Sequence, residues 1–209
     1  MIRLVTIERE YGCGGAEIAQ KVAGRLGWKL WDHLLTEEIA RQMGCSCDKV
    51  EKHEEKRDSL QYRLFTAFMR GSFEGTLNAP RLKLVDADHI RQVTRRVVMS
   101  AAQQGHAVIV GRGSPYYLRD RRDTFHVFCY ASFEEKVRRL KAKGKTESEA
   151  AELAETVDRD RAEYIKTYFH VEWPARRELF HLMINTGLCD DLAVETILHA
   201  VSLLERQAS

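Results

Sequence analysis

The sequence predicts an α/β protein built on a parallel sheet, and three observations carry that prediction. Short apolar runs of strand length, Leu4 to Ile7, His106 to Val110 (HAVIV) and Phe125 to Ala131 (FHVFCYA), alternate with segments of helical period. The runs are apolar on consecutive positions, as suits strands covered on both faces. The first ends, after the polar segment Glu8 to Tyr11, in a glycine-rich turn of Gly12, Cys13, Gly14 and Gly15. A helix opens directly behind it.

The elements follow in order. Ile18, Ala19, Val22, Ala23 and Leu26 place one apolar face on a helix from about Glu17 to Leu26, which Gly27 ends. Trp28 to Trp31 is a short strand followed by Asp32. Thr36 is expected to cap a helix over Glu37 to Gln42 that stops at Gly44. Residues 48–70 are helical and highly charged, with an apolar stripe of Leu60, Leu64, Phe65, Phe68 and Met69, and Gly71 to Pro80 reads as a loop. Helix resumes from about Asp86 to Gln104. After HAVIV comes Gly111-Arg112-Gly113. Ser132 caps a basic helix, Phe133 to Lys143, and a second helix runs from about Glu147 to Tyr168. LMIN (Leu182 to Asn185) is the last strand, and Ala193 to Leu204 is an amphipathic closing helix. The whole fits a single domain, residues 1–209, with no internal repeat.

Composition excludes several function classes. The 209 residues carry a formal net charge of only +2, so there is no electrostatic case for binding a nucleic-acid polymer. No apolar run approaches the roughly 20 residues of a membrane helix, and no signal peptide is expected before the first strand. Five cysteines without CxxC pairing suit reduced thiols and a cytoplasmic setting. Cys45-Ser46-Cys47 is half of a metal pattern without its second half. The eight histidines show neither HExxH nor paired ligand spacing, so no protein-held metal is expected.

The glycine turn, Asp32, Gly111-Arg112-Gly113 and Asn185-Thr186 all follow strands. In a parallel sheet they fall at one end, where such folds bind ligands. Strand, glycine turn and helix make a phosphate cradle, because backbone N–H groups and the positive helix end face an anion. The cradle departs from G-x-x-x-x-G-K-[ST]. With its second glycine on Gly14, Arg9 stands at the first glycine, Gly15 at the lysine and Ala16 at the Mg²⁺-binding hydroxyl. Two readings of the turn therefore stand, a phosphate site and a plain strand–helix connection. Asp32 likewise reads as a ligand group or as a helix cap.

VTIEREYGCGGAEIA (5–19), an Asp after the second strand, VIVGRG (108–113), FCYASFEEKVRR (128–139) and DRDRAEYIKTYF (158–169) together resemble the cytidylate kinase-like family. Order and spacing hold as far as Ile184-Asn185-Thr186. The resemblance implies a three-layer α/β/α fold of P-loop kinase type with a five-stranded parallel sheet. It also implies a helical acceptor-side insert at about 48–85 and a lid region at about 138–170. The implied activity is phosphate transfer from ATP, with Mg²⁺ carried in on the nucleotide, to a nucleoside monophosphate, CMP first. Carried onto this chain, Gly12, Cys13, Gly14, Gly15, Ala16 and Glu17 would wrap the donor phosphates. Asp32 and Arg112 would hold the acceptor, and Arg139 and Arg161 would be lid arginines closing over the transferred group. Asp158 belongs to the same side and is spaced to orient Arg161.

Relatives of this type often carry Arg after the paired glycines, where this chain has Ala16. Arg9 is then the nearest substitute cation. That departure keeps two alternatives open: a nucleotide-binding protein of weak or no turnover on the same fold, and a kinase for another small acceptor.

Overall fold

A computed structural model describes residues 1–42, 87–174 and 177–207. The expected charged helix, the loop ending at Pro80 and Cys45-Ser46-Cys47 all lie outside the described residues.

Five parallel strands form one sheet in the order β2-β3-β1-β4-β5. They are β1 Leu4–Arg9, β2 Lys29–Trp31, β3 Ala107–Val110, β4 Thr124–Tyr130 and β5 Leu182–Asn185. The helices are α1 Gly15–Leu26, α2 His33–Gln42, α3 Ala87–Gln104, α4 Ser114–Tyr117, α5 Phe133–Ala142, α6 Glu147–Phe169 and α7 Asp190–Gln207, with a 3-10 turn at Arg177–Leu179. Every strand-to-strand passage between parallel neighbours is a crossover, so helices cover both faces.

Side chains of β1 alternate between two cores. Val5 and Ile7 pack with Ile18, Val22, Val127 and Ile197 beneath α1 and α7. Leu4 faces Val93, Val97, Leu118 and Ile165 on the side of α3 and α6. A third cluster, Tyr11, Val137, Leu140, Ala154 and Val157, joins the glycine turn to α5 and α6. The central strands are apolar in succession for this reason: both of their faces are dry. No helix among the described residues is long and apolar enough to cross a membrane. Cys13, Cys129 and Cys189 are free thiols.

Four boundaries differ from expectation. β1 continues through Glu8 and Arg9, because both pair with β4 (Arg9 opposite Cys129) after β3 has ended opposite Ile7. α2 starts at His33, so Thr36 lies inside the first turn and is no cap; its N–H and hydroxyl both donate to the Asp32 carbonyl. His106 is excluded from β3 because Gly105 and His106 both take positive φ, 67° and 48°, and turn the chain out of α3. α7 begins at Asp190, where Asp190 and Asp191 favour the positive helix end. Short α4 was not legible in the sequence.

Candidate active site

Because β1 outruns β3, Glu8 and Arg9 extend past the end of β3 while still paired with β4, and the chain enters the glycine turn from there. Gly12 and Gly14 take φ of 81° and 80°, a region that costs an L-residue about 1–2 kcal/mol. At Gly12 there is also no room: a Cβ would lie 3.2 Å from the Lys136 backbone oxygen and from Leu140. The turn is fastened at both ends. Asp158 Oδ1 accepts the Tyr11 N–H at 2.7 Å, and Thr186 Oγ1 donates to the Cys13 carbonyl at 2.5 Å. The Cys13 thiol, buried, donates to the Cys129 carbonyl at 3.5 Å.

Arg139 stands directly over this turn. A Cβ at Gly14 would overlap its Nη1. Three groups hold the guanidinium: Glu135 at 2.6 Å, Asp190 at 2.8 Å and the Thr186 carbonyl at 2.8 Å. Burial lowers the Arg139 pKa, but these two carboxylates more than offset it, and the net direction is upward. Beside it opens a cleft of about 500 Å³ lined by Gly14, Glu17, Arg138, Arg139, Lys143 and Asp190. Glu17 pairs with Lys143 at 2.6 Å across its mouth. Ala16, half-buried in the first turn of α1, adds no polar side chain.

Arg9 does not point into that cleft. Its aliphatic stem passes the Gly15 Cα side, where a Cβ would come within 2.9 Å, and its Nη1 lies against Gly111. Its Nη2 ends 4.0 Å from Asp32 Oδ1. Asp32 Oδ1 is buried and has no hydrogen-bond partner among the described residues. Arg9 therefore joins a second pocket, lined by Glu8, Arg9, Arg112, Arg161, Tyr164 and Trp173.

Three consecutive left-handed residues, Gly111 (62°), Arg112 (59°) and Gly113 (66°), make the turn that sends Arg112 inward. Arg112 is 3% exposed and donates to Thr36 Oγ1 at 2.5 Å. Burial pulls its pKa down to about 10, with Asp32 opposing the shift. A strained, enclosed guanidinium at the end of a strand is a feature that binding sites keep. Arg161 comes from α6. It donates to the Arg9 carbonyl at 2.9 Å and lies 3.6 Å from Asp158. Burial lowers its pKa, Arg9 adds to the shift, and Asp158 and Glu8 resist it.

The candidate residues thus divide. Gly14, Glu17 and Arg139 line the open cleft, with Gly12, Cys13, Gly15 and Ala16 in the turn and helix start behind it; Arg9, Arg112 and Arg161 line the second pocket, with Asp32 beside Arg9. Asp158 lines neither; it ties Tyr11, Lys136 and Arg161 together between them. Lys136 bridges Asp158 at 3.0 Å and Glu10 at 3.1 Å. Sequence reasoning missed Glu8 and Thr36 as site residues, and placed Thr186 at the right end of the sheet without giving it a role. A signal existed for Glu8, an acid on a buried strand; for Thr36 the cap reading hid it. Among the described residues, no group of three His, Cys, Asp or Glu could hold a metal ion.

A family model described as "Cytidylate kinase-like family" matches residues 4–188. Among solved structures, an uncharacterized protein from Eubacterium ventriosum aligns with a TM-score of 0.67 at 19% identity, covering 97% of this chain and 99% of that one. A shikimate kinase from Acinetobacter baumannii, solved with shikimate, aligns at 0.52 and 15%, covering 97% and 94%. The shikimate kinase from Bacteroides thetaiotaomicron aligns at 0.52 and 17%, covering 98% and 99%. At these identities the structures share the kinase fold with this chain. No curated protein matches the sequence.

Proposed function

The chain belongs to the cytidylate kinase-like family, and from that premise we propose that it transfers the γ-phosphoryl group of ATP to a nucleoside monophosphate, CMP or dCMP first. One observation carries the reading: two pockets flank one glycine turn at the carboxyl end of the sheet, and each contains a fixed arginine. Phosphoryl transfer needs donor and acceptor phosphates held apart, in line, with cations beside the oxygens that gain charge.

The open cleft suits the donor. Backbone groups from Gly12 to Glu17 and the start of α1 would face its phosphates, and Arg139 would supply the charge that Gly15 and Ala16 do not. The second pocket, about 20 Å³ as it stands, would open for the acceptor, with Arg112 and Arg9 gripping its phosphate and Asp32 Oδ1 accepting from a ligand O–H or N–H. Arg161 lines the second pocket and reaches the Arg9 carbonyl, just ahead of the glycine turn. It is the cation placed to stabilise the phosphoryl group in transit, and its bond to the Arg9 carbonyl positions it before any substrate arrives.

Mg²⁺ fits here as a companion of ATP. Such an ion keeps several waters and needs one or two carboxylates besides the phosphates. Glu17 offers one: its Oε2, beside the turn, has no hydrogen-bond partner among the described residues. The bound ion would neutralise charge on the β- and γ-phosphates.

ADP release from Mg·ATP, measured with CMP, dCMP, UMP, AMP or GMP singly, tests the proposal. Acceptor-dependent turnover is expected. ATP binding with no turnover on any acceptor would favour the second reading, a nucleotide-binding protein without turnover. The observation on that side is that Arg139 is already held by Glu135, Asp190 and Thr186.

A further inference from the structure

Glu8 has no part in the scheme above, yet it is enclosed by the acceptor pocket. It is 4% exposed, and its Oε1 is held by the Arg9 backbone N–H at 3.3 Å. β1 carries it past the end of β3, so a Cβ at Gly111 would lie 3.7 Å from that oxygen. Charged groups face it from several elements, Arg9 on β1, Arg112 on the β3–α4 turn and Arg161 on α6, while Tyr164 of α6 lines the same pocket with its hydroxyl engaged by Tyr117. Asp32 stands beyond Arg9 at the end of β2, and Asp158 behind Arg161 on α6.

Glu8, Asp32 and Asp158 set three carboxyl groups against the guanidiniums of Arg9, Arg112 and Arg161. The lining itself carries Glu8 alone against the three guanidiniums, but with Asp32 beside Arg9, Asp158 beside Arg161 and Lys136 offset by Glu10, the cluster as a whole is balanced before a ligand enters. A phosphate monoester dianion would bring two further negative charges into an enclosed space. Buried charge without compensation is costly, and a carboxyl group in that setting protonates instead. Of the three, Asp158 is tied to the Tyr11 N–H and Lys136, and Asp32 lies outside the lining, 4.0 Å from Arg9 Nη2. Among the described residues, Glu8 has only the Arg9 backbone N–H.

We propose that Glu8 takes up one proton from solvent when a dianionic phosphate docks on Arg9, Arg112 and Arg161, and returns it when the anion leaves. The inference rests on reading this pocket as the acceptor's phosphate site. Burial already pushes the Glu8 carboxyl upward, with Arg9 the foremost group resisting. An anion drawing on those arginines weakens the resistance. Acceptor affinity then falls by up to about tenfold for each pH unit above the Glu8 titration, and it does so for the charged phosphate alone, so uncharged nucleosides escape the dependence.

Sulfate is the probe, since it stays a dianion throughout the neutral range and cannot itself supply the proton change. Calorimetric titration of the full chain near neutrality, in buffers of different ionisation enthalpy, counts protons per sulfate bound. Uptake by the wild type that disappears in Glu8→Gln, with sulfate still bound, is the expected result. Sulfate binding without uptake, or equal uptake by Glu8→Gln, overturns the inference and leaves the acceptor site standing. Failure of the wild type to bind either sulfate or CMP overturns the acceptor-site reading and this inference with it. Should Glu8→Gln not fold, infrared difference spectra of the wild type decide. Addition of sulfate must then raise the C=O band of a protonated carboxyl, and no such band overturns the proposal.

Discussion

Arg139 occupies the space into which a side chain at Gly14 would grow. The contact joins the tightest point of the glycine turn to α5, and through Asp190 and the Thr186 carbonyl to the start of α7. Gly14→Ala would strain a backbone at φ 80° and push Arg139 off its partners together. We expect ATP affinity to fall at least tenfold and the melting temperature to drop. Gly24→Ala is the control, because that helical glycine of α1 has open space around it. It should stabilise by about 0.5–1 kcal/mol without touching nucleotide binding. Equal loss of ATP affinity in both variants would mean that the turn is a connection and Arg139 merely packs on it.

Arg112 and Thr36 test the acceptor side separately. Thr36→Val keeps shape but removes the oxygen that receives the Arg112 Nη2 hydrogen. A hydrogen bond to a charged group is worth about 1.5–3 kcal/mol. The acceptor KM should therefore rise roughly ten- to a hundredfold while the ATP KM holds. A parallel rise in both constants would show that Arg112 serves the whole fold rather than one substrate.

Much of this arrangement was legible in residues and some was not, for physical reasons. Periodicity placed all five strands and put the glycine turn, Asp32, Gly111-Arg112-Gly113 and Thr186 at one end, since in a parallel sheet order along the chain fixes the end. Where a side chain points is not periodic. Arg9 stood next to the glycines in sequence, but in the fold its stem passes Gly15 and leads to Asp32. Thr36 looked like a cap because Asp32 was also a candidate ligand group, and only the fold starts the helix directly behind it at His33. Glu8 looked like loop because an acid inside an apolar strand requires neighbours, Arg112 and Arg161, that are more than 100 residues away.

Arg161 separates binding from chemistry. If it stabilises the group in transit, Arg161→Ala lowers kcat by a hundredfold or more and changes the KM values little. Its bond to the Arg9 carbonyl makes some loss of stability inevitable, so Arg161→Lys, which retains the charge, is measured beside it. Loss of nucleotide affinity in proportion to kcat would reassign Arg161 as a ground-state ligand.

The last prediction concerns His126, remote from both pockets. Its Nδ1 lies 2.6 Å from Thr6 Oγ1, and its ring stacks on His181 at 5.2 Å. Burial pushes its pKa down to about 4, and His181 adds to the shift. The unfolded chain takes a proton near pH 6.5, whereas the native ring refuses it until about pH 4. A depressed native pKa gives stability that is present above pH 6.5 and lost as pH falls toward 4, up to about 3 kcal/mol. Glu135, held down to about 2 by Arg138 and Arg139, loses its contribution from about pH 4.5 downward, overlapping only the acid edge of that window. Glu8 acts with the opposite sign, because its raised pKa favours the native state as pH falls. Melting temperature should therefore decline between pH 6.5 and 4 in the wild type, and the decline should flatten in His126→Gln. An unchanged slope in that variant would assign the acid sensitivity to other groups, His181 first among them.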